Sequence, residues 1–110
     1  MKTMTENHPT DTLLDEYHAD RLAELFRVLG NARRVRILSV LLEGERNVRA
    51  IAEAVGVSES AVSHHLSGLR QMHLVRARKS GRQVFYSLDD EHIVELFDRG
   101  LDHVLHDHNS

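Results

Sequence analysis

Gly56-Val57-Ser58-Glu59-Ser60-Ala61-Val62-Ser63-His64-His65-Leu66-Ser67-Gly68-Leu69 carries a turn signal and a helix signal in one run. Val62, Leu66 and Leu69 recur at i, i+4 and i+7, the spacing of one apolar helix face. Ser60, Ser63, His64, Ser67 and Gln71 populate the other side, which is polar, small and nearly uncharged. Gly56-Val57-Ser58 reads as a tight turn followed by a serine suited to capping, so the helix is predicted from Ser58 to about His73. A short helix over about Val48 to Val55, with Ile51, Ala52 and Val55 apolar, precedes the turn. Two short helices joined by a glycine turn predict a helix-turn-helix.

Downstream, Leu74 to Lys79 and Arg82 to Leu88 alternate as two strands around Ser80-Gly81, a hairpin with basic residues at its tip. A last helix, capped by Asp89 or Asp90, carries Ile93, Leu96, Phe97, Leu101, Val104 and Leu105. Upstream, Asn31 caps a helix containing Val35, Ile37, Leu38, Leu41 and Leu42 that ends at Gly44. Thr10 to Leu29 reads as helical, as one helix or as two with Thr10 to His18 separate, and is stopped by Gly30, with Leu14, Tyr17, Leu22, Leu25, Phe26 and Leu29 roughly on one face. The predicted class is mainly α with a β-hairpin wing. Residues 11–106 form the single domain, preceded by a disordered arm at 1–10 and followed by a flexible tail at 107–110.

With 110 residues and 41% hydrophobic content, one core is expected and no second domain. No apolar run approaches the roughly 18 residues of a membrane span, and Met1 to Thr10 lacks the apolar segment of a signal peptide. A cytoplasmic location is therefore expected, with no membrane partner. The absence of cysteine removes disulfides, thiolate metal clusters and thiol nucleophiles, so any metal must be held by nitrogen and oxygen.

Net charge is −3, but its distribution is uneven. Between Ser60 and Leu88 stand Arg70, Arg76, Arg78, Lys79 and Arg82 with no acid, whereas beyond Leu88 seven acids face Arg99 alone. One surface suits an anion and another a cation. Hydroxyls on the Ser58–His73 helix let a backbone approach the floor of a DNA major groove and exchange hydrogen bonds with base edges. Arg78, Lys79 and Arg82 would neutralise phosphates and position the helix without reading sequence. His65, beside the buried stripe, reads as a packed side chain rather than a base contact.

Nine histidines include His92, His103, His106 and His108 near the carboxy end. His103 and His106, at i and i+3, share a helix face, and Asp90, as a cap outside the helix, can turn toward His92. Eleven residues separate His92 from His103, about 16 Å along a helix, too far for one ion whose ligands all lie about 2 Å away. A second, antiparallel copy solves this: Asp90 and His92 of one chain meet His103 and His106 of the other, twice per dimer. One carboxylate and three imidazoles suit tetrahedral Zn(II) or Co(II). His108 and His8 are candidate fifth and sixth ligands that would favour Ni(II) or Co(II), although both read first as exposed residues near the chain ends.

Gly30-Asn31-Ala32-Arg33-Arg34-Val35-Arg36-Ile37-Leu38, Val57 to Leu66 and Gly81-Arg82-Gln83-Val84-Phe85-Tyr86 resemble the ArsR/SmtB family of bacterial metal-responsive repressors, over about Leu22 to His106. The resemblance implies a winged-helix homodimer, joined through its terminal helices, that leaves an operator palindrome on binding metal. It implies base contacts from Ser60, Ser63 and His64. The Asp-x-His and His-x-x-His pairs also resemble the zinc-sensing branch, in which a coordinating histidine at the His103 position would bond a backbone carbonyl near His73. Asn47-Val48-Arg49 stands where the family's thiol branches have Cys-x-Cys, so arsenic, cadmium or lead sensing through that site is excluded. A DNA-binding regulator with no metal effector is the rival reading, distinguished by whether zinc changes operator affinity. A small metal-dependent hydrolase lacks a positioned base beyond Glu91, so an enzyme is not expected.

Overall fold

The computed structural model describes residues 13–106, so the expected arm at 1–10, His8, His108 and the tail at 107–110 lie outside the described residues. The elements are α1 (Glu16–Leu29), α2 (Ala32–Leu42), β1 (Arg46–Asn47), α3 (Val48–Val55), α4 (Glu59–Gln71), β2 (Val75–Ser80), β3 (Gln83–Leu88) and α5 (Glu91–Leu105). The strands form one antiparallel sheet in the order β1-β3-β2. Helices α2, α3 and α4 enclose the core, in which Ile37, Ile51, Val62, Leu66, Leu69 and Leu74 are almost wholly buried.

Side-chain caps set the helix starts. The Asn31 carboxamide oxygen accepts from the Arg33 and Arg34 backbone N–H groups at 3.0 and 3.1 Å, and Ser58 Oγ accepts from Ala61 N–H at 3.0 Å. Asn31→Ala strands two donors and is expected to lower stability by about 0.5–2 kcal/mol in a urea melt; unchanged stability would show water replacing the cap at no cost. The first described helix is shorter than the Thr10–Leu29 span. It begins at Glu16, because the Asp15 carboxylate accepts from His18 N–H at 2.8 Å, and Leu13 to Asp15 are not helical.

Two turns orient the reading elements. Gly56 takes φ 74° between α3 and α4, a left-handed conformation that suits glycine. At the end of α4, His73 takes φ 58°, with Leu74 N–H donating to Leu69 O and His73 N–H to Arg70 O, both at 2.9 Å. This six-to-one and five-to-two pair is a Schellman motif with histidine in the place usually held by glycine. It stops the helix at Gln71, slightly earlier than the sequence suggests, and directs the chain into β2. In the hairpin, Ser80 pairs with Gln83, so the two-residue loop is Gly81-Arg82 rather than Ser80-Gly81, with Gly81 at φ 63°.

The terminal helices are less buried than the rest. On α1, Tyr17, Leu22 and Phe26 are exposed and only Val28 is buried; on α5, Ile93 and Phe97 pack on the core while Leu96, Leu101, Val104 and Leu105 are exposed. Leu29, Val35, Phe97, Leu101 and Val104 are among the residues lining an apolar groove of about 410 Å³ between these helices and α2.

Candidate functional site

Burial of Val62, Leu66 and Leu69 fixes which side of α4 faces out, and Ser60, Ser63, His64 and Ser67 are all exposed on it. The structure therefore places Ser60, Ser63 and His64, the residues the resemblance offers for base contacts, on one exposed face together with Ser67. His65 is half-buried and turned the other way, toward α2, where Arg34 Nε donates to its Nδ1 at 3.3 Å. Burial first, then the nearby Arg34 charge, holds its imidazole below the ordinary histidine range.

The wing is anchored rather than loose. Asn47 Nδ2 donates to Gln83 Oε1 at 2.6 Å, tying the hairpin to β1. The three basic residues grouped by sequence separate here. Lys79 and Arg82 are exposed near the tip, whereas Arg78 is held in a two-bonded fork by Glu45, with Nε to Oε2 at 2.9 Å and Nη2 to Oε1 at 2.8 Å, and lies over the Phe85 ring. The hydrogen bonds from Arg78 hold the Glu45 carboxyl below its usual range and raise the guanidinium. No local spacing could have revealed Glu45, which lies 33 residues from Arg78 in sequence. The short strand β1 went unnoticed for a related reason: its two residues have no pattern of their own and are strand only because Arg46 and Asn47 pair with Tyr86 and Phe85.

Asp90 caps α5. Its Oδ1 accepts from His92 and Ile93 N–H at 2.9 and 3.3 Å, and its Oδ2 lies 3.6 Å from His92 Nδ1. The carboxylate has one oxygen committed to the helix end and the other nearest the imidazole. At the far end, His106 Nδ1 lies 2.7 Å from the Asp102 carbonyl. A carbonyl only accepts, so Nδ1 carries the hydrogen of this bond and Nε2 is the nitrogen left to meet a metal. His103 stands three residues earlier, exposed on the last turn. Among the described residues, no three histidine, aspartate or glutamate side chains of one chain form a metal-sized group. The two pairs occupy opposite ends of α5, as the helical rise requires.

A helix-turn-helix with an exposed, polar face and an anchored basic hairpin beside it defines a winged helix-turn-helix domain. The model of the bacterial regulatory protein arsR family matches residues 31–77. The Synechocystis protein described as a transcriptional repressor SmtB homolog is 44% identical over 86 residues, covering 78% of this chain and 65% of its own length. The transcriptional regulator NmtR of Mycobacterium tuberculosis is 39% identical over 95 residues, covering 86% of this chain and 79% of its own. In structure, the homodimeric winged helix-turn-helix DNA-binding domain Mb0332 of Mycobacterium bovis matches with TM-score 0.74 and 34% identity, over 90% of this chain and 98% of that one. The chain belongs to the arsR family of bacterial regulatory proteins. Its relatives and fold are those of transcriptional regulators, not enzymes, and no described helix is long and apolar enough to cross a membrane.

Proposed function

We propose that this protein is a metal-sensing transcriptional repressor that binds operator DNA as an apo homodimer and is released when Zn(II) binds. The observation that carries the reading is the pairing on α5: Asp90 beside His92 at one end, His103 and His106 at the other, on a helix that leaves Leu96, Leu101, Val104 and Leu105 exposed. Antiparallel apposition of two such helices covers the apolar side and completes two sites together. The homodimeric state of the structural relative supports a dimer. Three imidazoles and a carboxylate favour Zn(II), with Co(II) the closest substitute; Ni(II) becomes the better fit if His108 and His8 add ligands.

On DNA, Ser60, Ser63, His64 and Ser67 would meet base edges, while Lys79 and Arg82 meet phosphates. Arg78 would reach phosphate only by exchanging its Glu45 fork, so its contribution should be the smallest of the three. The reading is tested with a duplex selected by the apo protein from a random pool, titrated with and without zinc. Selection of no duplex would refute DNA reading, and equal affinity in both states would leave a regulator without a metal effector. Ser63→Ala or His64→Ala should each weaken the selected duplex by about 1–3 kcal/mol while sparing scrambled DNA. Arg82→Ala should instead weaken both duplexes alike and flatten the salt dependence. The opposite assignment of these two patterns would reverse the roles of helix and wing.

A further inference from the structure

Arg34 stands where helix electrostatics disfavour a cation. It lies with Arg33 in the first turn of α2, at the positive end of the helix dipole, and that turn holds no acid. Its side chain leaves α2 for two other helices. Nη1 donates to the Val28 carbonyl at 3.2 Å, in the last turn of α1, and Nε donates to His65 Nδ1 at 3.3 Å on α4. The same guanidinium lies over Gly68, where an added Cβ would stand 3.0 Å from Nη2 and 3.2 Å from Cζ.

Gly68 is an independent sign of this seat. Glycine is a poor helix former, and this one sits inside α4 without the positive φ that would require it. An added Cβ would press on the Arg34 guanidinium, which would have to give by a few tenths of an ångström. His65 and Gly68, at i and i+3, form the edge of α4 that receives the guanidinium, on the side away from Ser63 and next to His64, whose ring centroid lies 5.9 Å from that of His65.

We propose that Arg34 is a positioning residue for DNA reading, fixing the reading helix α4 to the end of α1 through the Nδ1 acceptor of His65 and the open seat at Gly68. The role rests on the DNA-binding dimer proposed above. There α1 supplies dimer surface and α4 reads a half-site, so the strut between them sets the separation of the two reading helices. Its loss should cost discrimination between half-site spacings and leave non-specific attraction to phosphate intact.

The acceptor makes the strut sensitive to protons. Nδ1 accepts from Arg34 only while unprotonated, and the charged or titratable groups acting on it are Arg34 and Arg33 of α2 and His64 of α4, with no carboxylate among them. A proton on His65 would abolish the acceptor and add a like charge beside Arg34. Since the folded environment favours the neutral ring, the strut is complete above the unfolded histidine value near 6.5 and is lost as pH falls through the lowered folded one.

The test uses the full apo protein with three probes: the duplex that wild type selects from a random pool of about 30 base pairs, the same duplex with one base pair added at its centre, and a scrambled duplex. Arg34→Lys, which keeps charge but not the planar fork, and Gly68→Ala, which favours helix but fills the seat, should each lose about tenfold on the selected duplex, within the usual range of coupling between sites. Both should bind the scrambled duplex like wild type and narrow the gap between the two spacings. His65→Asn retains an acceptor near Nδ1 and does not titrate. As pH falls below the ordinary histidine value near 6.5 and through the lowered one of His65, wild type should weaken on the selected duplex more than His65→Asn does. Imidazole nitrogen spectra of the free protein at the upper pH should show His65 protonated on Nε2 alone. Wild-type spacing discrimination in folded Arg34→Lys and Gly68→Ala would overturn the positioning role. Coincident pH profiles for wild type and His65→Asn, or a hydrogen on His65 Nδ1, would overturn the acceptor. If no duplex is selected, the DNA reading itself fails and the role fails with it, while the spectra still decide whether the bond exists.

Discussion

Zinc added to the wild-type dimer should lower its affinity for the selected duplex by about 5- to 150-fold, the usual span of coupling between two sites, and should leave a His103→Ala/His106→Ala dimer unaffected. The double variant removes two of the four donors from each proposed site. Its zinc affinity should fall by well over the 10- to 100-fold that outer-shell changes typically cost. Linkage requires the converse as well: the selected duplex must weaken zinc binding by the same factor by which zinc weakens DNA binding. Chain sharing is separable from metal binding as such. A mixed dimer of an Asp90→Ala/His92→Ala chain with a His103→Ala/His106→Ala chain should keep one complete site, because one interface unites both intact pairs and the other unites both mutated pairs. Titration of that mixed dimer should therefore give one tight ion where wild type gives two. No tight ion would refute antiparallel sharing, and full binding by an isolated chain would refute it from the other side. His103 should matter beyond affinity if its second nitrogen bonds a carbonyl near His73. In that case His103 variants that still bind an ion lose regulation out of proportion, whereas His106 variants lose both together.

The core of this fold was legible because local pattern and burial coincide there. Val62, Leu66 and Leu69 recur at helical spacing and are all buried, and the Asn31 and Ser58 caps occupy the positions their side chains predict. The reading face of α4 followed from the same periodicity, since whatever lies opposite a buried stripe is exposed. Asp90 as cap and partner of His92 was readable from a two-residue spacing. What escaped depends on contacts between distant residues. Glu45 meets Arg78, Arg34 meets His65, and β1 exists only against β3, none of which leaves a periodic trace. His73 in the left-handed region was hidden for another reason: the glycine that usually marks such a stop is absent. Whether residues 10–29 form one helix or two was not legible because apolar spacing continues through Leu14, while Asp15 supplies the cap from which α1 begins at Glu16.

Leu22→Glu/Phe26→Glu should convert the protein to a folded monomer whose affinity for the selected duplex is about 10²- to 10⁴-fold lower, the advantage that linking two binding modules confers. Both side chains are already exposed in the single chain, at 42% and 56%, and neither belongs to the core of Ile37, Ile51 and Leu66. The substitutions should therefore change the monomer's stability by only a few tenths of a kcal/mol, as exposed positions do. In a dimer joined through α1 and α5 the same positions become interior, where an unpaired carboxylate is strongly disfavoured and its symmetric copy repels it. Placing the changes on α1 leaves Asp90, His92, His103 and His106 untouched, so the metal result carries its own information. If each site is divided between chains, the monomer should also lose tight zinc binding although every ligand is present. Sedimentation reports the oligomer, and the scrambled duplex controls for the added negative charge, which should weaken both duplexes equally. A variant that remains dimeric would move the interface away from these helices. A monomer that keeps tight zinc would place the site within one chain, and the regulatory coupling would then have to run through α5 without the dyad.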